Sequence, residues 1–500
     1  MMLGPAELAV LNARLAGIAE EMGAALRRGA SSPNIKERAD CSAALFTADG
    51  ELLVQAEHIP VHLGAMPLAV RAAIDACGAT IGPGDQIVLN DPYAGGTHLN
   101  DVTIVAPAFS DTPELVGWVA NRAHHADVGG ATPGSMPPDA TEIQQEGLRI
   151  PPVRLTPEVE VLFVSASRTP DERRGDLAAQ AGANRIGVAR LLELAGAPFG
   201  SIVDYGERRM RAALGRLPEG RHVFADALDE PDVAVVVTVE VADGTITFDF
   251  TGTGPQQPGN VNAVRAVTAS AVAFALRSAT DPTIPANGGA LRPVRIVTEL
   301  GTVVDARFPA AVGGGNVEVS QRVADVCLGA LAWFAPDRVG AAGQGTMNNL
   351  LLGGDGWVYY ETIGGGQGGR PGHAGMSGVH TAMTNTLDTP VEAIERAYPL
   401  RVLRYGLRSE SGGNGAYPGG DGIVKEIEVL EPTTCTLISQ RRSRPPFGLA
   451  GGAPGALGEN WVLRGGEEAR AVRLPATTTV LLAPGDVIRI LTPGGGGYGT

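Results

Sequence analysis

Runs of glycine restrict this chain more than any other feature of it. Gly313–Gly315, Gly364–Gly366 and Gly494–Gly497 are among 69 glycines in 500 residues, and 36 prolines accompany them. Glycine permits tight turns and close backbone approach but weakens a helix interior, while proline removes a backbone donor. Long helices therefore cannot dominate, and much of the backbone must run in turns and close-approach loops. At roughly 100–200 residues per domain the length allows two to four domains, enough to bury a core without disulfides.

Helical and extended segments are nonetheless separable. Leu8, Leu11, Leu15, Ile18, Met22 and Leu26 recur at steps of three and four, which predicts an amphipathic helix opened by Pro5. Residues 41–57 predict a hairpin turning at Asp49-Gly50, and 66–80 a helix. Strands are expected at 84–91, 101–109 and 114–125, followed by helix at 173–197. A hairpin closes at Asp243-Gly244, and apolar helices are expected at 261–278 and 319–334. Beyond about residue 340, short strands alternate with glycine-rich loops. The expected fold is α+β (mixed α/β): a metal-bearing N-terminal α/β domain over 1–220, a middle α+β domain over 221–400, and a mostly β region over 401–500. Breaks near 215–230 and 395–405 place these boundaries.

Several function classes are excluded. A formal net charge of −15 repels nucleic acid and anionic membranes. Lysine occurs only at Lys36 and Lys425, neither in a glycine loop, so no phosphate-binding P-loop exists. Cys41, Cys77, Cys327 and Cys435 lie far apart without a Cys-x-x-Cys pair, which fits a reducing cytoplasm. No basic-then-apolar leader and no apolar stretch of about 20 residues are seen. There is no Gly-x-Ser-x-Gly elbow, Ser42 and Ser135 have no catalytic context, and Cys41 lies in an apolar run.

Polar chemistry concentrates instead in the first 130 residues. NDPYAGGTHLNDV (90–102) packs two acids, a histidine, two amides and a glycine pair between two predicted strands. Five of the eight histidines (His58, His62, His98, His124 and His125) lie within 58–125, near Asp40, Asp91, Asp101 and Asp127. Loops at the ends of adjacent strands converge, and carboxylates mixed with imidazoles suit Zn, Mn, Fe or Co. Such polar residues equally serve to cap turns. His58 and His62 fit a pocket wall or a hydrogen-bonded core better than a ligand set. Asp91 and Asp127 are candidates either for a general base or for orienting imidazole rings.

ERADCSAALFTADGELLVQAEHIPVHLGAMP, GDQIVLNDPYAGGTHLNDVTIVAPAF and ANRAHHADVGGATPGSMPPDATEIQQEGLRIPP, with GGGNVEVSQRVADV, GTMNNLLLGG, YYETIGGGQGG, GMSGVHTAMTNTLDTPVEAIE, QRRSRPPFGLAGG and TPGGGGYG, resemble the hydantoinase B family. That family includes the C-terminal half of 5-oxoprolinase and the alpha subunit of acetone carboxylase. The resemblance spans the chain in order, and the length is similar to that of a stand-alone B subunit. It implies a cytoplasmic hetero-oligomer with a hydantoinase A-type ATP-binding subunit, and no nucleic-acid or membrane partner. The partner would use ATP to phosphorylate a carbonyl oxygen of a small cyclic amide or imide. Water held by one divalent transition metal in this chain would then attack the activated carbon. By position, the implied metal ligands are Asp40, His98, Asp101 and His124. His125 stands where relatives often carry an aromatic residue, and is implied as a proton shuttle beside Asp91 and Asp127. Asn90, Asn100 and Glu146 are weaker candidates for contact with water or substrate, and Ala382 replaces a histidine common in relatives. The alternative implied by the same resemblance is a subunit of an acetone-carboxylase-like, ATP-dependent carboxylase.

Overall fold

A computed structural model describes residues 3–56, 59–112 and 114–500. The predicted first helix forms over Pro5–Gly29, and Leu8, Leu11, Leu15, Ile18, Met22 and Leu26 are all buried. The hairpin forms as β1 (Cys41–Thr47) and β2 (Leu52–Ala56), and Gly50 takes the left-handed turn at φ 83°. Next come β3 (Ile87–Leu89), β4 (Asp101–Phe109), β5 (Leu115–His124) and β6 (Val153–Arg154). They make one six-stranded sheet in the order β2-β1-β5-β4-β3-β6, and each adjacent pair is antiparallel.

The two faces of this sheet do different work, because successive side chains alternate. Ala43, Leu45, Ala106 and Val119 face helix Pro5–Gly29 and the C-terminal turn of helix Pro170–Leu192. Ala44, Phe46, Val105, Trp118 and Ala120 face helix Ala65–Cys77. Continuing along that second face, Ser42, Asp101, Thr103, Arg122 and His124 follow at one end of the sheet. The apolar pattern thus changes to a polar one on a single face, and this change sets where chemistry takes place.

The remaining chain closes over that end. Helix Arg265–Ala279 is almost wholly buried, and its Ser270 hydroxyl accepts from the amides of Gly64 and Ala65, both at 3.0 Å. A π turn over Gly315–Val319 runs into helix Ser320–Leu331. A second sheet has four strands drawn from residues 220–297. In a third sheet, strands Asn349–Gly354 and Trp357–Glu361 join Thr433–Ile438 and Thr477–Leu482, so it spans both sides of residue 400. A five-stranded sheet completes the C-terminal region.

Strands occupy part of each segment in which a break was expected. Gly220–Ala227 pairs with Ala234–Ala242 along its whole length, and Leu400–Arg408 is an edge strand paired with Gly422–Val429. Helices Pro157–Ala166 and Gly200–Leu214 were also not apparent as separate elements. The glycine runs mostly pack backbone against backbone. Gly495 donates to the Gly420 carbonyl at 2.9 Å and accepts from the Gly413 amide at 2.8 Å. A Cβ there would stand 2.1 Å from the Gln367 carbonyl oxygen. Among the described residues, no helix is long and apolar enough to cross a membrane.

Candidate active site

β4 begins where the loop after β3 ends, so Asp101 stands at the first position of the strand with His98 three residues ahead. The Asp101 amide donates to the His98 carbonyl at 3.1 Å, which closes the turn. Gly95 makes the loop possible: its φ is 85°, and a Cβ would meet Leu68 backbone at 2.5 Å. Across the ladder, Asp101 pairs with His124, the last residue of β5. His62 enters from the segment after β2, and its Nδ1 lies 2.9 Å from the Ser42 hydroxyl of β1.

Asp101 is the centre of the group. Its Oδ2 lies 3.2 Å from His98 Nδ1 and 3.4 Å from His62 Nε2, and its Oδ1 lies 3.5 Å from His124 Nδ1. Thr97 donates its hydroxyl to Oδ2 at 2.5 Å. Burial raises the Asp101 pKa, but the His98 and His62 rings outweigh it and hold the carboxyl well below its ordinary range. Burial pushes the His124 pKa down against the pull of Asp101, which favours the neutral ring with one nitrogen lone pair available. One ligand atom from each of His98, Asp101 and His124 lies within 4.8 Å of the other two, and all three residues are buried. Among the described residues, Nε2 of His124 has no hydrogen-bond partner. Two imidazoles and a carboxylate, with an orphaned ring nitrogen, fit a divalent transition ion.

The surrounding residues fix these rings. Tyr360 stacks on His124 with centroids 4.5 Å apart, and the Arg38 guanidinium lies 5.1 Å from the Tyr360 centroid. Arg38 in turn donates to the Tyr360 carbonyl at 2.6 Å and the Thr362 hydroxyl at 2.7 Å. Asn316, in the π turn, brings its amide within 3.2 Å of His98 Nδ1. Arg122 is fully buried on the same face and donates to Thr103 at 2.8 Å. Burial lowers its pKa to about 10 against the attraction of Asp101.

The other predicted residues fall in different places. Asp40 lines the same small cavity as His62, Asp101 and His124, but its carboxylate is outside the mutually close three. Asp91 caps the Pro92–Ala94 turn through the Tyr93 amide and pairs with Arg149 at 2.9 Å. Asp127 accepts from the amides of Gly129, Gly134 and Arg168 and pairs with the Arg168 guanidinium. Both acids therefore hold loops. His125 points to the opposite face, where Nε2 is 2.9 Å from Gln180 Oε1, and burial lowers its pKa to about 4. Asn90 and Asn100 bond backbone: Asn90 receives the Ile150 amide at 2.6 Å, and Asn100 donates to the His125 carbonyl at 2.9 Å. Glu146 receives the Val312 and Gly313 amides at 3.1 and 2.8 Å. Burial pushes the Cys41 thiol up to about 12, which removes it as a nucleophile. His58 lies outside the described residues.

Arg38, Asn316 and Tyr360 were not singled out from the sequence as parts of this site. Each sits inside a motif that carries the family resemblance, and that was the one signal available for them.

A match to the family described as Hydantoinase B/oxoprolinase spans residues 4–500. An uncharacterized protein of Methanocaldococcus jannaschii is 42% identical over 98% of this chain and 90% of its own length. The 5-oxoprolinase 1 of Arabidopsis thaliana is 41% identical over 99% of this chain, which spans only 42% of that longer protein. The crystal structure of an ATP-dependent caprolactamase from Pseudomonas jessenii superposes with a TM-score of 0.93 at 28% identity, over 99% of this chain and 91% of that one.

Proposed function

Because the chain belongs to the hydantoinase B/oxoprolinase family, we propose that it is the ring-opening subunit of an ATP-dependent cyclic-amide hydrolase. It works in the cytoplasm in a hetero-oligomer with a hydantoinase A-type subunit, which binds ATP and phosphorylates the carbonyl oxygen of the ring. The observation that carries this reading is the buried group of His98, Asp101 and His124 on facing strand ends.

These three side chains would hold one Zn, Mn, Fe or Co ion, which would supply Lewis acidity at this point of the site. His62 and Asn316 keep Asp101 and His98 in register, and Tyr360 fixes the plane of the His124 ring. Asp40 lines the same space without joining the three mutually close ligand atoms. That placement favours a proton acceptor over a fourth ligand. Asp91 and Asp127 act at one remove by holding the loops that carry His98 and follow His124. His125, turned towards Gln180, supports the strand end and does not meet the reacting atoms. The lack of a P-loop lysine agrees with ATP chemistry in a partner chain.

The test is reconstitution with an adjacent A-type subunit on hydantoin, 5-oxoproline, or acetone with bicarbonate. ATP-dependent ring opening that disappears in Asp101→Ala supports the proposal. Bicarbonate incorporation into acetone would replace it with a carboxylase, and neither product would refute it.

A further inference from the structure

The glycine run Gly313–Gly315 leads into the π turn over Gly315–Val319, a form found mostly as single turns and frequently at functional sites. All five residues of the turn are buried, and two of them carry polar side chains. Asn316 brings its amide to His98 Nδ1 at 3.2 Å. Glu318 serves a different strand. Its Oε1 accepts from the Met347 amide at 3.1 Å and from Asn349 Nδ2 at 3.0 Å.

Those contacts lead to the other imidazole. Asn349 opens strand Asn349–Gly354, and its Oδ1 accepts from the Tyr360 hydroxyl at 2.9 Å. Tyr360 lies nearly flat on the His124 ring, with 11° between the planes. The Asn349 amide nitrogen donates to Glu318 and to the Ile438 carbonyl, the latter at 2.9 Å. Its two hydrogens are thereby used, which leaves Oδ1 turned to Tyr360. Met347 lines the small cavity of the triad. Asn348, between Met347 and Asn349, holds a left-handed φ of 50°, a conformation that persists in a non-glycine residue only where its surroundings fix it. Loss of the Glu318 oxygen would leave two buried N–H donors without an acceptor at this point.

We propose that Glu318 is a positioning residue for the triad: one carboxylate oxygen sets both imidazole planes, His98 through the turn shared with Asn316, and His124 through Asn349 and Tyr360. It acts through these neighbours and not on the reacting atoms. Burial pushes the Glu318 carboxyl up to about 8, and its Oε2 has no hydrogen-bond partner among the described residues. Glutamine therefore matches it near neutral pH in charge and in the accepting oxygen, whereas leucine keeps the volume and removes the acceptor. The inference rests on the metal reading of the triad above and adds what aligns its two rings.

Cobalt(II) binding to the purified chain tests it without ATP, partner or turnover. Chelator competition gives the affinity, and the visible absorption of the bound ion reports the geometry of its ligands. Glu318→Leu should weaken affinity by roughly 10–100-fold and alter the spectrum, while Glu318→Gln should keep the native spectrum and nearly native affinity. Asn287→Ala is the control for stability alone: Asn287 is buried, caps helix Gly288–Leu291 and donates to the Ile202 carbonyl of helix Gly200–Leu214. It should lower the melting temperature and leave both metal readouts unchanged. Native affinity and spectrum in Glu318→Leu, or a loss in Glu318→Gln as large as in Glu318→Leu, would overturn the inference. Crystals of metal-free Glu318→Leu give a second readout: the Tyr360–His124 planes should open beyond 11°, and unchanged planes would also overturn it. A native chain that takes up no cobalt would instead count against the metal reading, and the ring planes would then decide the role of Glu318.

Discussion

The Asp101 carboxylate lies 3.2 Å from Nδ1 of His98, three residues earlier, and faces His124 across the β4–β5 ladder. One acid is thus shared between two imidazoles that reach it by different routes, one through a turn and one through strand register. Removing the acid leaves two buried rings with no carboxylate shared between them among the described residues. Asp101→Ala and His98→Ala should each abolish retention of a divalent transition ion through dialysis, measured by elemental analysis. Asp101→Asn keeps the shape and loses the charge, so it should show the same loss. Native-like metal content in any of the three would refute the ligand assignment.

His125 adjoins His124 in sequence but lies on the other face of the sheet, against Gln180 and the edge of Phe163. His125→Phe should therefore keep the metal. It leaves Gln180 Oε1 without a donor, which costs about 1–3 kcal/mol and should lower the melting temperature. Loss of metal with no change in melting temperature would identify His125 as the ligand.

The gathering of polar residues at strand ends was legible in the sequence because the apolar runs beside them are plain, while the choice of His98, Asp101 and His124 among them came from the family resemblance. The helix at Pro5–Gly29 and the β1–β2 hairpin were legible for the same reason: local spacing fixes the buried face. Asn316 and Tyr360 were not, since they reach His98 and His124 from more than 200 residues away and nothing local marks them. Strand Gly220–Ala227 alternates between half-buried and exposed positions and mixes His222, Phe224 and Asp226, so its composition looks like a linker. The Leu400–Arg408 edge strand is exposed over most of its length and carries no buried stripe to announce it. Spacing alone leaves the acids near the triad equivalent, and only the resemblance marks Asp101 as a ligand. Tertiary contacts give the physical difference: Asp101 faces three rings, whereas Asp91 and Asp127 each pair with an arginine.

The glycine-rich C-terminal run tests backbone packing. Gly495→Ala places a methyl 2.1 Å from the Gln367 carbonyl oxygen, with backbone on both sides and no flexible side chain to move. It should destabilise by about 3 kcal/mol. Gly406 lies in a strand where an added methyl would have nothing within 4 Å, so Gly406→Ala should shift stability by under about 1 kcal/mol. Denaturant midpoints compare the two, and equal midpoints would contradict the close-packed arrangement.

Glu146 gives a pH prediction away from the triad. Burial pushes its carboxyl up to about 8, against the opposing pull of the Gly313 and Val312 amides. The unfolded chain releases this proton near the ordinary value of 4.5, whereas the folded chain keeps it until about 8. Between those values the folded state binds the extra proton, so stability falls as pH rises through the window and levels off above it. Each pH unit across that window removes about 1.4 kcal/mol, so the whole effect amounts to a few kcal/mol. Glu146→Gln removes the titration and keeps an oxygen for the two amides. Relative to the native protein, the variant should gain stability steadily from about pH 5 to about pH 8 and hold a constant difference beyond. Chemical denaturation at a series of pH values measures this. Parallel profiles for the two proteins would mean that Glu146 is ionised in the folded state, with the loop amides carrying its charge.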